Sequence, residues 1–309
     1  MKILFLGTPD FAVKPLIEIL SLGSPFEVIG VVTNKDKPVG RKKVLTPPPV
    51  KVEALKNNLP VFQYDKIRLE GVEDLKKLNP DIIVTCAFGQ ILSQEILNIP
   101  KYGVINIHAS LLPKYRGASP IQHAILNGEK ETGVTIMQTV MEVDAGDILL
   151  QEKLQILDNE TSGELFERLS VLGSEMVKKA LVLIKNGNAK YTAQDKDKAT
   201  FTKMIKKEHA LINWENTSEE IFNKIRAFNP SPICFTFYNG QPLKIYSAKL
   251  SNGSGTPGEI KTCEKYLEVA CGKGSIIVEK VQKAGSSAMN IADFLRGNKL
   301  QKGGHFTNA

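Results

Sequence analysis

The stretch KILFLG at residues 2–7 is a near-continuous apolar run, and it is the first of four such runs that decide the fold. The others are VIGVVT at 28–33, DIIVTCA at 81–87 and GVINI at 103–107. Apolar runs without alternation and rich in β-branched residues are typical of parallel strands whose two faces are both covered. The four runs therefore predict four buried parallel strands.

Helical patterns separate these runs at 11–20, 50–57 and 72–78. Further along, 133–140 and 148–156 alternate between apolar and polar residues, which predicts two more strands. Alternating strands and helices predict an α/β fold with a Rossmann-like, doubly wound and mostly parallel sheet. Ligands bind beyond the carboxyl ends of the strands in such sheets, so the residues that follow each strand are the candidates for a site.

A second domain is predicted in the last third of the chain. An amphipathic helix at 162–185 is followed by a polar, Lys-rich passage at 188–207, which we interpret as a linker between domains at 1–187 and 208–309. Five short strand-like runs separated by Gly, Asn and Pro turns then predict a small C-terminal β-barrel; the oligonucleotide-binding type is the commonest of this size, and other five-stranded barrels fit the pattern too. The runs follow a predicted helix at 218–228 and span 233–238, 243–250, 258–262, 266–270 and 275–281.

Composition restricts the class of protein. The 309 residues are 42% hydrophobic and 24% charged, which is enough apolar material for packed cores. The four cysteines form no CxxC pair, so we predict neither a metal site nor a disulfide framework, and a reducing cytoplasm as the location. No apolar run approaches the roughly 18 residues of a membrane helix, and no signal-peptide core is recognisable. The chain is predicted to act without a membrane and as a monomer.

The positive charge is unevenly distributed. Residues 191–309 hold 17 basic and 11 acidic side chains, so most of the net charge of +7 lies there. The long loop at 33–51 adds six basic residues and one acid. A polyanion such as nucleic acid is one interpretation, and a solvated Lys-rich surface is the other.

The densest chemical signal is VINIHASLLPKYRGASPIQ at 104–122. Asn106 and His108 are two apart on a predicted strand, so both side chains point to the same face near its carboxyl end. An amide and an imidazole there form a candidate oxyanion pair, and Asp144 in the following hairpin loop could return to hold the imidazole. Taken one at a time, these residues fit a structural interpretation better: a buried histidine satisfied by the asparagine, and a turn-forming aspartate. The chain has no GxGxxG after the first strand and no GxxxxGK[ST], which disfavours a dinucleotide or phosphate loop.

The pattern Asn-x-His-x-Ser-Leu-Leu-Pro-x-Tyr-Arg-Gly-x-x-Pro, followed about thirty residues on by Val-Asp-x-Gly-Asp, resembles the folate-dependent formyltransferases. The resemblance implies that Asn106, His108 and Asp144 form the catalytic trio. It also implies 10-formyltetrahydrofolate as the formyl donor, with no metal.

Other stretches resemble the members of that family that act on methionyl-tRNA. They are FLGTPDF at 5–11, PVGRKK at 38–43, KEHALINW at 207–214 and RAFNPSP at 226–232, so the resemblance covers nearly the whole chain. It implies that the formyl acceptor is the free amino group of initiator methionyl-tRNA. The products would be formylmethionyl-tRNA, used in translation initiation, and tetrahydrofolate.

Two loops are the candidate folate site. The loop at 86–92 (CAFGQIL) follows one predicted strand, and its backbone could pair with the edge of a pterin, although the same residues suit an ordinary strand-to-helix turn. The other loop follows the strand with the trio, and its leucines could cover a flat ligand or pack onto the sheet. The folate-binding residues implied are Phe88, Gln90, Ile91, Leu92, Ser110, Leu111, Leu112 and Pro113.

Two basic elements are the candidate tRNA-binding residues. Arg41, Lys42 and Lys43 form the tip of the loop at 33–51, and the resemblance implies that this loop reaches the tRNA acceptor end. Lys206 and Lys207 belong to the predicted linker, which could hold the tRNA through phosphates.

Three functions remain open on the sequence. The first is formylation of methionyl-tRNA, the second formylation of a small amine such as glycinamide ribonucleotide or an amino sugar nucleotide, and the third RNA binding by a domain that has lost catalysis. A small-amine enzyme has less need of a basic loop and a basic barrel. A non-catalytic protein predicts a broken trio, yet all three residues are present, so the first function is favoured.

Overall fold

The computed structural model describes residues 1–40 and 42–308, and these divide into two compact units. The first unit comprises Met1–Gly117, Glu131–Gln155 and Phe166–Thr202, and the second comprises Ala118–Lys130, Ile156–Leu165 and the described chain from Lys203 onward.

The first unit is built around the four apolar runs, which all form strands. The strands, in chain order, are β1 (Lys2–Gly7), β2 (Glu27–Thr33), β3 (Lys37–Val39), β4 (Val44–Thr46), β5 (Val61–Gln63), β6 (Ile82–Cys86), β7 (Val104–His108), β8 (Arg116–Gly117), β9 (Glu131–Gln138), β10 (Ile148–Gln155) and β11 (Phe201–Thr202).

Seven of these strands form one sheet in the order β10-β9-β7-β6-β1-β2-β5. Neighbours from β7 to β5 pair in parallel, and β9 and β10 extend the sheet with antiparallel pairs. In β1, every side chain from Ile3 to Leu6 is fully buried, which explains why the strand is apolar without alternation. The predicted mostly parallel α/β fold is confirmed.

Helices connect the strands. The first predicted helix begins at Val13, after a 3-10 turn at Asp10–Ala12, and not at Phe11. This start places Pro15 within the first helical turn, where its missing N–H has no helical partner to lose. The helices are α1 (Val13–Leu20), α2 (Pro49–Lys56), α3 (Ile67–Glu70), α4 (Val72–Leu78), α5 (Gln94–Leu97), α6 (Pro120–Leu126) and α7 (Ser162–Lys185).

The predicted loop at 33–51 contains an antiparallel hairpin of β3 and β4. Its strands pair Lys37 with Thr46, and the turn includes Gly40 with φ +73°. An ion pair holds the base of this hairpin in place: Lys51 Nζ lies 2.8 Å from Asp36 Oδ1. Hydrogen bonds from Lys51 and then Gln63 hold the pKa of Asp36 below its ordinary value. We name residues 37–46 the basic hairpin.

The segment predicted as a linker is extensively bonded up to Thr202. Thr192 pairs with Ile148 in an antiparallel bridge, and β11 pairs in parallel with β8. Residues 188–202 therefore belong to the first unit, and the second unit resumes at Lys203. The domain boundaries at 187 and 207 stay a prediction.

The second unit contains a curled antiparallel sheet in the order β14-β15-β16-β13-β12-β18, with β17 paired to β16. All five predicted strand runs are present, and the short β17, α9 and β18 are additional. Besides α6, which also belongs to this unit, the elements are α8 (Ser218–Ala227), β12 (Cys234–Tyr238), β13 (Gln241–Ser251), β14 (Ile260–Thr262), β15 (Leu267–Ala270), β16 (Ser275–Lys283), β17 (Met289–Asn290), α9 (Ile291–Gly297) and β18 (Phe306–Thr307).

The two edges of this sheet meet. Glu259 and His305, which precede β14 and β18, form an antiparallel bridge. Phe306 N–H donates to Gly258 O at 2.8 Å, and a side chain at Gly258 would approach Phe306 O to 2.5 Å. Joining the edges removes exposed strand edges, as in a small barrel. The predicted C-terminal barrel-like domain is confirmed.

Trp214, the single tryptophan, is predicted to anchor a domain interface. The structure shows the indole 3% exposed and packed within the second unit. Its ring stacks on Phe306 with centroids 5.7 Å apart, and its Nε1–H donates to Thr236 Oγ1 at 2.9 Å. The indole thus links β18 to the neighbouring strand β12.

Among residues 1–40 and 42–308, none of the helices combines the length and apolar character required to span a membrane.

We expect Phe306→Ala to destabilise the second unit by about 3–5 kcal/mol, because it removes a buried ring and leaves a cavity. Emission from Trp214 reports on this unit alone, so urea unfolding followed by tryptophan fluorescence measures the change. Tyr266, which is 44% exposed, provides the control: Tyr266→Ala should leave the urea midpoint nearly unchanged. Equal midpoints for Phe306→Ala and the parent protein would contradict this account of the barrel closure.

Candidate active site

Asn106 and His108 lie on β7, at the carboxyl edge of the parallel sheet. In the register of β6 with β7, Asn106 is opposite Thr85, whose hydroxyl donates to Asn106 Oδ1 at 2.8 Å. Because the oxygen end of the amide accepts this bond, the Nδ2 group is the end that can donate to a ligand. Asn106 is partly exposed, whereas His108 is only 6% exposed.

The imidazole of His108 has one nitrogen committed to the backbone. Its Nε2 lies 2.9 Å from Tyr115 O, and a carbonyl oxygen only accepts, so Nε2 carries the hydrogen. Its Nδ1 lies 3.6 Å from Asp144 Oδ2. That separation exceeds a direct hydrogen bond, and it leaves Nδ1 as the ring atom that can exchange a proton.

Asp144 lies in the loop between β9 and β10, at 139–147. Its carboxylate is 15% exposed, and Oδ2 accepts a 2.8 Å hydrogen bond from Gly117 N–H. Its backbone is left-handed, with φ +51°. The structure thus brings together the three residues predicted as the trio.

The loop at 110–113 is fastened to the sheet by Thr135 of β9. Thr135 Oγ1 donates to Ser110 O at 2.7 Å and accepts from Leu112 N–H at 3.2 Å. Gln151 of β10 donates from Nε2 to Leu112 O at 2.8 Å. The backbone of this loop is therefore ordered by two buried bonds to Thr135 and a partly buried one to Gln151. Sequence analysis missed Thr135, whose position opposite His108 in the register of β7 with β9 becomes visible only in the structure.

The side chains predicted to bind folate divide into two groups. Phe88, Leu92 and Leu112 are at most 8% exposed and pack into the core, and Ser110 Oγ donates to Lys114 O at 2.7 Å. Ile91 is 64% exposed. The residues whose side chains are at least partly exposed are Gln90, Ile91, Leu111 and Pro113.

Gln90 is engaged in holding its own loop. Its Oε1 accepts from Ile67 N–H at 2.8 Å, and its Nε2 donates to Asn34 Oδ1 at 2.7 Å. Asn34 Nδ2 in turn donates to Phe88 O at 3.1 Å. The backbone of the loop, rather than the Gln90 amide, is therefore the part available to pair with a ligand.

The two predicted folate loops leave neighbouring parallel strands, β6 and β7, at the same edge of the sheet. The thiol of Cys86, at the end of β6, is fully buried, and burial raises its pKa far above neutral pH. Cys86 thus acts as a small apolar residue and not as a nucleophile. The described residues contain no group of three or more His, Cys, Asp or Glu arranged to hold a metal ion.

The predicted tRNA-binding residues lie on both units. Lys42 and Lys43 are exposed in the turn of the basic hairpin, and Arg41 lies outside the described residues. Lys206 and Lys207 are exposed; Lys206 precedes a 3-10 turn at Lys207–Ala210, and its Nζ lies 3.8 Å from Glu208 Oε1.

Sequence analysis also missed Arg116, which is 2% exposed. Its Nη1 donates to Glu142 Oε1 at 3.1 Å, and its Nη2 donates to Gln194 Oε1 at 2.9 Å. A buried guanidinium needs such partners because it loses its hydration. The signal in the sequence was its place between Tyr115 and Gly117, directly after the loop that follows His108.

An amide donor, an imidazole and a carboxylate at the carboxyl edge of a Rossmann-like sheet define an enzyme that stabilises charge at a carbonyl centre. Residues 1–181 match the family described as "Formyl transferase", and residues 204–299 match "Formyl transferase, C-terminal domain". The chain belongs to the formyl transferase family. The prediction of an enzyme of this type is confirmed.

Relatives of similar length support this assignment. A methionyl-tRNA formyltransferase of Bacillus subtilis (strain 168) is 45% identical over 307 residues, which cover 98% of this chain and 96% of the relative. A methionyl-tRNA formyltransferase of Acetivibrio thermocellus is 42% identical over 308 residues, which cover 98% of both chains.

Two solved structures share the fold and carry folate compounds. WlaRD, a sugar 3N-formyl transferase solved in the presence of dTDP and 5-N-formyl-THF, is 27% identical with a TM-score of 0.69, covering 93% of this chain and 99% of its own. The N-formyltransferase from Helicobacter canadensis, in complex with folinic acid and dTDP-3-aminofucose, is 26% identical with a TM-score of 0.69, covering 90% of this chain and 98% of its own.

We expect Thr135→Val to lower the free energy of unfolding by about 1–3 kcal/mol, because it leaves the buried Leu112 N–H without its acceptor. Urea unfolding followed by circular dichroism measures this loss. The matched control is Thr33→Val, since Thr33 Oγ1 is buried without a hydrogen-bond partner among the described residues and its removal should be neutral or stabilising. An equal response of the two variants would show that Thr135 does not fasten the loop.

Proposed function

We propose that this chain transfers the formyl group of 10-formyltetrahydrofolate to the free amino group of initiator methionyl-tRNA. The products are formylmethionyl-tRNA, used in translation initiation, and tetrahydrofolate. The observation that carries the proposal is the convergence of Asn106, His108 and Asp144 at one edge of the sheet. The full-length relatives named methionyl-tRNA formyltransferase support the choice of acceptor.

Asn106 and His108 stabilise the negative charge that develops on the formyl oxygen as the amine attacks. Asn106 donates from Nδ2, which its bond with Thr85 turns away from β6. His108 donates from Nδ1 when that nitrogen is protonated, because Nε2 is held by Tyr115 O. One such donor in a site that excludes water contributes about 3–4 kcal/mol to the stabilisation of a transition state.

Asp144 supports the imidazolium and the proton transfer. Its Oδ2 faces His108 Nδ1 and is held by Gly117 N–H, so Oδ1 is the atom that takes up the proton of the attacking amine, directly or through a water. Once the new C–N bond has formed, the oxyanion collapses to re-form the carbonyl, and the bond from the formyl carbon to the folate nitrogen breaks. The proton released by the amine is the one that the departing folate nitrogen requires.

The loops after β6 and β7 suit the flat formyl donor. The loop at 88–92 is held in place through Asn34 and Gln90, so its backbone presents an ordered edge to a ligand. Leu111 and Ile91 add apolar contacts beside it. These residues would hold the folate ring, which supplies the activated formyl group.

The basic hairpin is the proposed contact for the tRNA acceptor end. Besides Lys42 and Lys43, it exposes three large apolar side chains, Val39, Val44 and Leu45, which are 55–64% exposed. Cations can pair with phosphates, and exposed apolar groups can pack on bases or sugars. Lys206 and Lys207 would hold the stem. We further expect a monomer in the cytoplasm.

We expect His108→Ala and Asp144→Asn each to reduce formylation turnover by at least about a hundredfold, a typical loss for an oxyanion donor or a proton-transfer group. Formyl incorporation into methionyl-tRNA from 10-formyltetrahydrofolate measures the rate. Asn106→Asp should behave similarly, because it keeps an acceptor for Thr85 but removes the amide donor. His305→Ala, at an exposed histidine of the second unit, is the control and should retain full turnover.

Near-normal turnover in a folded His108→Ala protein would overturn the assignment of the trio. The same assay offered a dTDP-amino sugar in place of methionyl-tRNA tests the small-amine alternative, which the structural likeness to sugar N-formyltransferases favours. Formylation of the sugar without formylation of methionyl-tRNA would replace the proposed acceptor.

We expect Arg41→Ala to reduce formylation turnover by roughly tenfold or more, with little change in tRNA affinity, because it misplaces the amine without removing most phosphate contacts. The double variant of Lys206 and Lys207 to Ala should instead weaken tRNA binding, and should lower its salt dependence by about one unit of slope per lost contact. Rates and dissociation constants at several salt concentrations separate the two effects.

The control is Lys185→Ala, which removes one exposed charge elsewhere on the first unit. It should leave both the formylation rate and the tRNA dissociation constant nearly unchanged at every salt concentration. Proportional loss of rate and affinity in Arg41→Ala, or no loss of either, would show that the basic hairpin does not position the acceptor.

A further inference from the structure

Gln194 lies between α7 and β11, and its amide reaches the loop that carries Asp144. Its Nε2 donates to two carbonyls of that loop, Asp144 O at 2.9 Å and Gly146 O at 2.7 Å. We propose that Gln194 is a positioning residue for the reaction: it holds the backbone at Asp144 so that the carboxylate faces His108. This inference rests on the proposed function, in which Asp144 takes part in catalysis.

The loop benefits from such support because no strand pairing holds its backbone at Asp144. Asp144 has φ +51°, a left-handed conformation that aspartate and asparagine adopt more readily than other non-glycine residues. The neck of the loop is closed by Gln138 N–H donating to Asp147 O at 2.9 Å. At Gly146 a side chain would come within 2.0 Å of Gln138 O, so the chain passes too close there for any other residue. These contacts close the neck of the loop, and the Gln194 amide bonds the backbone from Gly146 back to Asp144.

Arg116 fixes the direction of the Gln194 amide. Arg116 Nε and Nη2 both donate to Gln194 Oε1, at 3.1 and 2.9 Å. The oxygen end of the amide therefore faces the guanidinium, and the NH₂ end must face the loop. Arg116 also bonds Glu142 from the same loop, so one buried cation orients the amide and contacts the segment that the amide holds.

Two substitutions of Gln194 distinguish its bonds to the loop carbonyls from its bonds to Arg116. Gln194→Met removes all the bonds while nearly conserving shape. Gln194→Glu keeps an acceptor for Arg116 and adds an ion pair, but it removes both donors to the loop carbonyls. We expect both variants to lower kcat for formylation by about 10- to 100-fold, because small misplacements of catalytic groups have effects of that size. The KM values for folate and tRNA should stay within about twofold of the parent, since both ends of the Gln194 amide are bonded to protein groups.

Parent-like kcat in Gln194→Glu would overturn the proposal, because it would show that Gln194 serves only to satisfy Arg116. The matched controls are Gln155→Met and Gln155→Glu, at an exposed glutamine of the same unit, which should retain the parent kcat. Thermal unfolding followed by circular dichroism selects variants that remain folded at the assay temperature.

A double-mutant cycle with Asp144→Asn gives the decisive measurement. Asparagine tolerates positive φ and keeps an acceptor for Gly117 N–H, so the loop should fold in this background. If Gln194 acts through the carboxylate, Gln194→Met should lower kcat by less than about twofold once Asp144→Asn is present. Losses that multiply would assign Gln194 an independent structural role and overturn the proposal. Full activity of Asp144→Asn alone is a different outcome: it would remove the carboxylate from the proposed mechanism, and the positioning role with it.

Discussion

The buried charge of Arg116 is the interaction on which the active site depends. A guanidinium that is 2% exposed must replace its lost hydration with protein partners, and here these are the Glu142 carboxylate, the Gln194 oxygen and the ring of Phe201, whose centroid is 6.0 Å away. The partners come from two distant segments, the loop with Asp144 and the passage after α7. Satisfying one cation thus brings together the parts of the chain that surround His108.

Two kinds of support hold the catalytic trio. Asn106 and His108 are set by the register of β7, because a shift by one residue would turn both side chains to the opposite face. Asp144 has no strand to hold it and depends on side-chain and backbone donors from elsewhere in the first unit. A site on loops needs such bonds, whereas a site on strands inherits its geometry from the sheet. The trio uses both kinds of support. Asp144, the residue on the loop, therefore needs bonds from Gly117 and Gln194 to hold it.

The sequence was sufficient for the elements whose pattern is local. Continuous apolar runs predicted β1, β2, β6 and β7, and the two-residue spacing of Asn106 and His108 predicted their common face. It was not sufficient for contacts that depend on the path of the chain. Arg116 and Gln194 are 78 positions apart. Nothing in the polar passage at 188–207 distinguishes Gln194 from the other polar residues around it. The polar, Lys-rich composition of this passage indicates a linker, and its bonds to the first unit are made by single residues without a periodic pattern that a sequence could reveal.

The basic hairpin is ordered although its side chains are exposed. Its strands alternate too briefly to predict a β-hairpin, and Val39, Val44 and Leu45 all remain exposed, so no buried face reveals its period. Its order comes from the base, where Lys51, Asp36 and Gln63 form a hydrogen-bonded cluster at the end of β2 and β5. A two-stranded ribbon has little stability by itself. Covering its exposed apolar side chains with a partner would remove them from water and lower the free energy. A fixed base and an uncovered apolar, cationic tip are therefore what the proposed contact with a tRNA end requires.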